Sequence, residues 1–366
     1  MSEISILRRD ERAGYQLREL YRRHGYTLYR MSKFEEYDLY VRNKSFLVSE
    51  HILTFTDTDG RLMALKPDVT LSIVKNSPDA PGATQKVCYN ETVYRTSPAA
   101  AGYREIMQAG LECIGDLDAY TAGEVLALAD ESLALISGDH LLDISHMGVA
   151  AGLLEGIPEE IAHALLEELG RKNTAAIRDI CARRGLPRET ADRLETLALL
   201  YGPPEEVLPR LAGLVQGQTA EAAVRELEDL CGLMAAMGRA SHLRLDFSIV
   251  NDMRYYSGLI FRGYLPGLAS GVLSGGRYDN LLHRMGRRGG AMGFAVYLDQ
   301  LERLETEESS YDVDTLLLYG PEDRPSTVAE RAAAILTQGR SVRAERHIPQ
   351  GVRFRTTERV SEGGEL

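Results

Sequence analysis

Four polar side chains of this sequence have types and spacings that suit a small amino acid. Asp68 and Thr70 stand two residues apart, and a carboxylate and a hydroxyl on one strand face would supply the forked acceptors that an ammonium group needs. Gln108 and Glu112 stand four residues apart, and because side chains alternate along a strand, both would line one face of it. A carboxylate inside a sheet costs free energy unless it is paired, so the best partner of Glu112 would be a ligand N–H. Each pair alone is also typical of an ordinary turn or of a solvated sheet face.

An aromatic pair and a glycine pair follow later in the chain. Tyr255 and Tyr256 are adjacent, so in a strand they point to opposite faces, and only one can bond a ligand while the other packs or forms a wall. Gly275 and Gly276, in the string Ser-Gly-Gly-Arg-Tyr-Asp-Asn, would let the backbone approach a ligand closely. A tyrosine pair by itself usually belongs to a core. The glycine string at this distance is what favours a binding pocket.

The local patterns predict an α+β fold. Residues 10–24 carry apolar side chains at helical spacing and predict an opening amphipathic helix, and residues 120–137 predict another helix. Most of the remaining apolar runs predict strands joined by hairpins with few helices between them, so the sheet should be antiparallel. The predicted strands are 26–29, 52–56, 62–65, 86–94, 109–114, 270–274 and 291–297, with further strands within 244–264.

Two regions depart from this pattern. Residues from about 152 to 240 predict successive helices punctuated by Gly-Leu-Pro and Gly-Pro-Pro, so we expect a helical insertion in a core that spans 1–310. Residues 315–344 predict a short C-terminal β-α-β unit inside a second unit at 311–366. The polar segment 352–366 is expected to be a disordered tail.

The composition excludes several classes of function. The 366 residues carry a formal net charge of -12 and a pI near 5.3, which offers no basic footprint for a nucleic-acid backbone. No run of about 18 apolar residues could span a bilayer and the N-terminus lacks a signal-peptide core, so we expect a cytoplasmic protein without membrane contact. The four cysteines are widely scattered, so we expect reduced thiols, no metal and no cofactor.

Over about residues 5–305 the sequence resembles the histidine-specific branch of the class II aminoacyl-tRNA synthetases. Segments Leu65–Thr70, Gln108–Glu112 and Tyr255–Gly258 carry the resemblance, together with the glycine string. It implies a class II synthetase-like antiparallel sheet with flanking helices, and a truncated anticodon-binding-like C-terminal unit. It also implies a histidine site, formed by Asp68 and Thr70 around the ammonium group, Gln108 on the amino acid, Glu112 on the imidazole, Tyr255 and Tyr256 at the ring, and Arg95 of the second signature.

The sequence departs from the synthetase pattern where ATP would bind. Asn251 stands where the synthetases have an arginine that stabilises charge during adenylate formation, and Ser97 replaces the glutamate of the Arg-x-Glu pattern. The third signature ends Tyr297-Leu-Asp-Gln300, which loses an arginine and puts a bulky tyrosine where a small residue stood. Each lost contact of this kind typically costs ~3 kcal/mol or more of transition-state stabilisation, so we expect no adenylation.

A synthetase-like core without these arginines resembles the regulatory subunits of ATP phosphoribosyltransferase, the first enzyme of histidine biosynthesis. That resemblance implies a non-catalytic homodimer that joins a short-form catalytic subunit in a hetero-octamer, is needed for its activity and takes part in feedback inhibition by histidine. Ser32, where the first signature has proline, makes the dimer less secure. The alternatives are a true histidyl-tRNA synthetase and another synthetase paralogue. The latter would need a different ATP site, and the sequence has no Gly-x-x-x-x-Gly-Lys loop.

Overall fold

The computed structural model describes residues 7–43, 52–77, 82, 84–97, 100–250, 256–304 and 311–360. The predictions for Asn251 and Tyr255 lie outside these residues, as does the side chain of Ser97. The chain divides into two compact units, Met1–Leu304 and Glu305–Leu366.

The helices and strands alternate irregularly along the first unit. Its helices are α1 (Arg9–Arg23), α2 (Tyr37–Arg42), α3 (Thr70–Asn76), α4 (Ala119–Ile136), α5 (Met147–Leu153), α6 (Glu159–Gly170), α7 (Thr174–Arg183), α8 (Arg188–Leu199), α9 (Pro204–Leu214), α10 (Gln218–Ala236), α11 (Asp279–Arg284) and α12 (Leu298–Leu301). Its strands are β1 (Thr27–Leu28), β2 (Phe34–Glu36), β3 (Thr54–Thr56), β4 (Leu62–Leu65), β5 (Thr84–Ser97), β6 (Ala100–Gly115), β7 (Leu141–His146), β8 (Tyr201–Gly202), β9 (Leu243–Asp246), β10 (Leu259–Tyr264), β11 (Leu273–Arg277) and β12 (Gly290–Tyr297).

A nine-stranded sheet organises the first unit. The described strands follow the order β1-β5-β6-β12-β11-β10-β7-β9-β8, and they are antiparallel except for the parallel pairs β1/β5 and β7/β9. The long hairpin of β5 and β6 pairs from Thr84 opposite Gly115 to Ser97 opposite Ala100. Strand β12 pairs with β6 although a helical insertion separates them in the chain. The predicted α+β class with an antiparallel sheet is therefore confirmed.

Helices α1 and α4 cover one face of this sheet. Leu17 and Tyr21 of α1 are buried with Val125 and Leu126 of α4 in one hydrophobic cluster, and the Tyr21 ring meets Phe294 edge to face at 5.9 Å. Helix α4 begins where the Asp118 side chain accepts a hydrogen bond from the Thr121 backbone amide, which satisfies one of the free amides of the first turn. The opposite face of β5, β6, β11 and β12 is left for the site.

The insertion is almost entirely helical, as predicted, but it also contributes to the sheet. Helices α5 to α10 fill the region between β7 and β9, and α10 packs against α5 and α4. Within it, β8 pairs antiparallel with β9, with Tyr201 opposite Asp246. A two-residue strand has no periodicity of its own, so the sequence pattern did not reveal it.

The second unit contains β13 (Val313–Leu318), α13 (Pro325–Thr337), β14 (Val342–Glu345) and β15 (Phe354–Arg359). Its parallel sheet has the order β14-β13-β15. The prediction of a disordered tail from residue 352 is wrong over β15, whose Phe354 lies opposite Val313. One of the charges that predicted disorder is paired, since Glu358 accepts from Arg331 at 2.8 Å and from Arg340 at 2.9 Å. Residues 361–366 lie outside the described residues.

Candidate functional site: a buried cavity on the central sheet

One cavity gathers most of the predicted site residues. Asp68, Thr70, Arg95, Gln108, Glu112 and Tyr256 all line it, so six of the seven predicted side chains converge, and Tyr255 is not described. The cavity holds about 480 Å³ of space free of atoms, partly open to solvent. A concave site with a few convergent polar side chains is the usual form of a small-molecule site.

Glu112 lies at the bottom of the cavity on β6, with only 2% of its surface exposed. The Thr70 hydroxyl donates to Glu112 Oε1 at 2.7 Å, and the Tyr278 hydroxyl donates to Oε2. Burial, against the opposing hydrogen bonds from Tyr278 and Thr70 and with a smaller contribution from the nearby Asp68 carboxylate, raises the pKa of Glu112 to about 8. Glu112 is therefore a carboxylic acid at neutral pH in the ligand-free protein.

Gln108 shares this face of β6 and is also buried, with 3% of its surface exposed. Alternation along the strand places Gln108, Gly110 and Glu112 on one side and Leu111 on the other, as predicted. The alternative that these polar residues lie on a solvated sheet face is wrong. Gln108 lies opposite Tyr297 of β12, so both side chains border the same end of the cavity.

Asp68 and Thr70 line the cavity from a turn and a helix rather than from one strand face. Strand β4 ends at Leu65, and Thr70 begins α3. The prediction of a shared strand face is wrong because Asp68 lies in the turn before α3, where its Oδ1 accepts from the Leu71 backbone amide at 2.9 Å in the manner of an N-terminal cap. The two side chains still reach the same space.

Arg95 provides the positive charge nearest to Asp68. Its Nη2 lies 3.7 Å from Asp68 Oδ2, and its Nε donates to the Pro67 carbonyl at 2.8 Å. Burial raises the pKa of Asp68, while the Arg95 guanidinium and the hydrogen bonds from the backbone of Leu71 and Thr70 oppose that rise. The guanidinium is therefore fixed at the Asp68 end of the cavity.

Glycines were predicted to let the backbone approach a ligand, but in the structure they make room for side chains of the protein. A Cβ on Gly276 would come within 2.6 Å of the Tyr256 ring, so this glycine makes room for the aromatic wall and not for ligand. At Gly275, a Cβ would meet the Phe294 side chain at 2.5 Å. Gly293 of β12 lies opposite Glu112, and a Cβ there would overlap the Glu112 carboxylate. The glycines thus accommodate protein side chains that shape the site.

Sequence reasoning missed several residues of the cavity. Tyr89, Tyr278, Gly293 and Phe294 are among them, and all four are buried. Tyr278 stood inside the glycine string and could have been predicted as a hydroxyl donor. Tyr89 could have been predicted only from the pairing of β5 with β6, in which it lies opposite Gly110. Gly110 is the glycine between Gln108 and Glu112 on the cavity face. Tyr297 was noted as bulky, and the structure brings it to the cavity.

The cavity wall is connected to the helical insertion by ion pairs. Arg277 of β11 donates to Asp279 at 2.8 Å and lies 3.9 Å from Glu226 of α10. Glu226 in turn lies 3.2 Å from Nε2 of His146. Because β11 also carries Ser274 and Gly275 of the cavity, these ion pairs link the strand that lines the site to α10.

A second polar cluster lies elsewhere in the described residues. Asp130, His140 and His242 could each offer an atom to a metal ion. The Asp130 carboxylate is already paired, since Oδ1 lies 2.9 Å from His140 Nε2 and Oδ2 accepts from Arg239 at 3.0 Å. This arrangement is an ion-pair network that holds α4 to the chain segment leaving the insertion.

Comparison with known proteins agrees with this architecture. The family model for histidyl-tRNA synthetase matches residues 5–301. An ATP phosphoribosyltransferase regulatory subunit from Caldanaerobacter subterraneus subsp. tengcongensis is 32% identical over 338 residues, with 89% of this chain and 87% of the relative covered. A regulatory subunit from Symbiobacterium thermophilum is 33% identical, with 81% and 76% covered. This chain belongs to the family of ATP phosphoribosyltransferase regulatory subunits.

A solved structure extends the likeness to almost the whole chain. The protein described as an ATP phosphoribosyltransferase regulatory subunit/histidyl-tRNA synthetase from Bacillus halodurans is 25% identical, covers 98% of this chain and 99% of its own, and superposes with a TM-score of 0.79. The predicted relationship, a regulatory subunit on a class II synthetase fold, is confirmed by these regulatory-subunit relatives. Among the described helices, none has the length and apolar character to cross a membrane.

Proposed function

We propose that this regulatory subunit binds histidine in the cavity around Glu112 and conveys its presence to a separate catalytic subunit of ATP phosphoribosyltransferase. The convergence of Asp68, Thr70, Gln108 and Glu112 on one buried space supports this proposal above all other observations. A short polar ligand with an N–H at one end and an ammonium group at the other would satisfy the carboxyl groups that the fold buries.

The ligand orientation follows from the charges. The imidazole would lie against Glu112 and the Tyr256 ring, and the ammonium group would take Asp68, whose Oδ2 is not used in capping α3. Arg95 and Gln108 would border the ligand carboxylate. Thr70 donates its proton to Glu112, so its oxygen keeps acceptor capacity for the ammonium group.

We further propose that the subunit has no catalytic activity of its own. Among the described residues that line the cavity, Arg95 is the one basic side chain, and Asp68 and the Pro67 carbonyl already engage it. Adenylate formation relies on several positioned cations. We expect purified protein to give histidine-dependent ATP–pyrophosphate exchange no higher than a blank, and exchange that persists after repurification would support the synthetase alternative.

Histidine binding is tested by titration calorimetry on the full-length protein. Glu112→Gln should weaken binding about tenfold or more, because hydrogen bonds to charged groups are worth ~1.5–3 kcal/mol. Glu105→Gln is the matched control, since Glu105 lies on the same strand but is exposed. Unchanged affinity in Glu112→Gln together with normal folding would remove the cavity as the histidine site.

The partner and the assembly complete the proposal. The family name of the relatives describes a regulatory subunit, which supports assembly with a catalytic subunit. We propose a hetero-octamer in which two-fold dimers of this chain activate a short-form catalytic subunit and make it sensitive to histidine. Light scattering of the co-purified chains measures the assembly, and phosphoribosyl transfer with and without this subunit measures activation.

A further inference from the structure

Glu112 has no cationic partner among the described residues that line the cavity. Both Glu112 oxygens accept hydrogen bonds from the neutral hydroxyls of Thr70 and Tyr278, and each oxygen keeps a free lone pair. The single basic side chain among the described lining residues, Arg95, is engaged 3.7 Å from Asp68. The fold thus buries two carboxyl groups and supplies one cation, which is committed to the other carboxyl group.

Among the described groups that line the cavity with Glu112, none offers another source of positive charge. The described titratable and charged side chains that line the cavity with it are Asp68, Tyr89, Arg95, Tyr256, Tyr278 and Tyr297. Burial raises the pKa of Tyr89 and of Tyr256 above the ordinary tyrosine range, so these phenols stay neutral. An ionised Glu112 would therefore be a buried charge without a counter-ion, which is costly unless the ligand brings one.

Among amino-acid side chains imidazole is the one whose ordinary pKa, about 6.5, lies near neutral pH, so it can accept a proton there from a carboxylic acid. We propose that the cavity binds histidine as an imidazolium–carboxylate pair, in which the proton carried by Glu112 in the empty cavity moves to the ring nitrogen that faces it. The O–H bond of Glu112 breaks and a ring N–H bond forms, so no proton is gained or lost overall. This inference rests on the proposed function, and it specifies the charge state that the site selects.

The first consequence concerns neutral ligands. β-(1,2,4-Triazol-3-yl)alanine has nearly the shape of histidine, but its third ring nitrogen makes the ring too weakly basic to hold the proton. It would bind through a neutral hydrogen bond in place of a charged one. We expect its dissociation constant to exceed that of histidine by tenfold or more in the wild type, and this ratio to shrink in Glu112→Gln, which cannot supply a proton.

The second consequence concerns proton counting. Near pH 7 the proton comes from Glu112, whose pKa is raised to about 8 by burial, so binding should take up almost none from solution. At pH 9 the empty Glu112 has lost its proton, so formation of the Glu112–imidazole pair should take up close to one proton per histidine, in addition to the uptake by the ligand amino group. The affinity should then fall about tenfold per pH unit above the pKa of Glu112.

Titration calorimetry of the full chain tests both consequences, with histidine and triazolylalanine at pH 7 and pH 9 in buffers of different ionisation enthalpy. Equal affinities for the two ligands in the wild type, or the same proton uptake at both pH values, would overturn the inference while leaving histidine binding intact. The absence of histidine binding at either pH would overturn the proposed function as well. Glu105→Gln should behave as wild type, and because the ligand comparison uses the wild type, the test does not depend on how Glu112→Gln folds.

Discussion

Gly293 of β12 lies directly opposite Glu112 of β6, and any side chain at Gly293 would occupy the position of the Glu112 carboxylate. The two residues meet only because β12 inserts beside β6 in the sheet. The site can therefore bury the Glu112 carboxyl group only because a distant part of the chain places a glycine, Gly293, beside it.

Gly293→Ala should displace Glu112 and disturb β12. Overpacking a filled interior costs typically ~1–3 kcal/mol, so we expect a lower midpoint of thermal unfolding and loss of the stabilisation that histidine gives the wild type. Gly213→Ala is the control, because Gly213 is an exposed glycine of α9 with open space around its Cβ position. There alanine should leave stability unchanged or raise it by up to ~1 kcal/mol. Full histidine stabilisation of Gly293→Ala would contradict the geometry.

The stability of the ligand-free protein should depend on pH through Glu112. Its folded pKa of about 8 exceeds the ordinary value of 4.5, so the folded state holds a proton that the unfolded state has lost. This contribution to stability is complete below about pH 4.5 and is lost as the pH rises to about 8, by at most ~1.4 kcal/mol per pH unit. Urea unfolding between pH 5 and pH 8 should show a steeper decline for wild type than for Glu112→Gln. Parallel curves would mean that Glu112 is ionised in the empty cavity.

Asp68→Asn should raise the histidine concentration that half-inhibits the reconstituted transferase. Asparagine keeps the hydrogen bond to the Leu71 amide but removes the charge that would hold the ammonium group. Asp68→Ala also loses the cap, at a cost of about 1 kcal/mol, so only the asparagine variant isolates recognition from folding. Inhibition curves on the intact complex provide the measurement. A curve that superimposes on wild type would place the feedback site elsewhere and leave this subunit as an activating scaffold.

Asp130→Asn should destabilise the first unit without affecting histidine binding. Burial opposes ionisation of Asp130, but hydrogen bonds from His140 and Arg239 outweigh it and lower the pKa. Breaking a buried pair costs ~3–5 kcal/mol, so chemical denaturation at pH 7 should show a loss on that scale. Because the pKa is lowered on folding, the difference between wild type and variant should persist above the ordinary value of 3.8 and shrink as the pH falls below it. A difference that grows in acid would be inconsistent with this network.

The sequence could predict those parts of the site that depend on local periodicity. Gln108 and Glu112 were placed on one face because strand alternation fixes that face wherever the strand is paired. Asp68 and Thr70 were predicted near the same ligand but on a strand, since a turn that caps a short helix has no periodicity to distinguish it. Their convergence with Glu112 depends on tertiary packing.

The missed residues depend on strand order, which no local pattern encodes. Tyr278 and Gly293 reach Glu112 because β11 and β12 follow β6 across the sheet, after the whole helical insertion has intervened. In the second unit, β15 was missed because its charged residues are typical of a solvated tail. The backbone pairing with β13 outweighs that composition.

The strand order also has a consequence for biosynthesis on the ribosome. When β6 has been synthesised it can pair with β5, but its other edge has no partner until Gly290–Tyr297 emerges. At about 5–20 residues per second, the long hairpin is left with an open edge for on the order of ten seconds. Open strand edges recruit other chains, so the nascent protein should be most prone to aggregation, and most dependent on chaperones, during synthesis of the insertion.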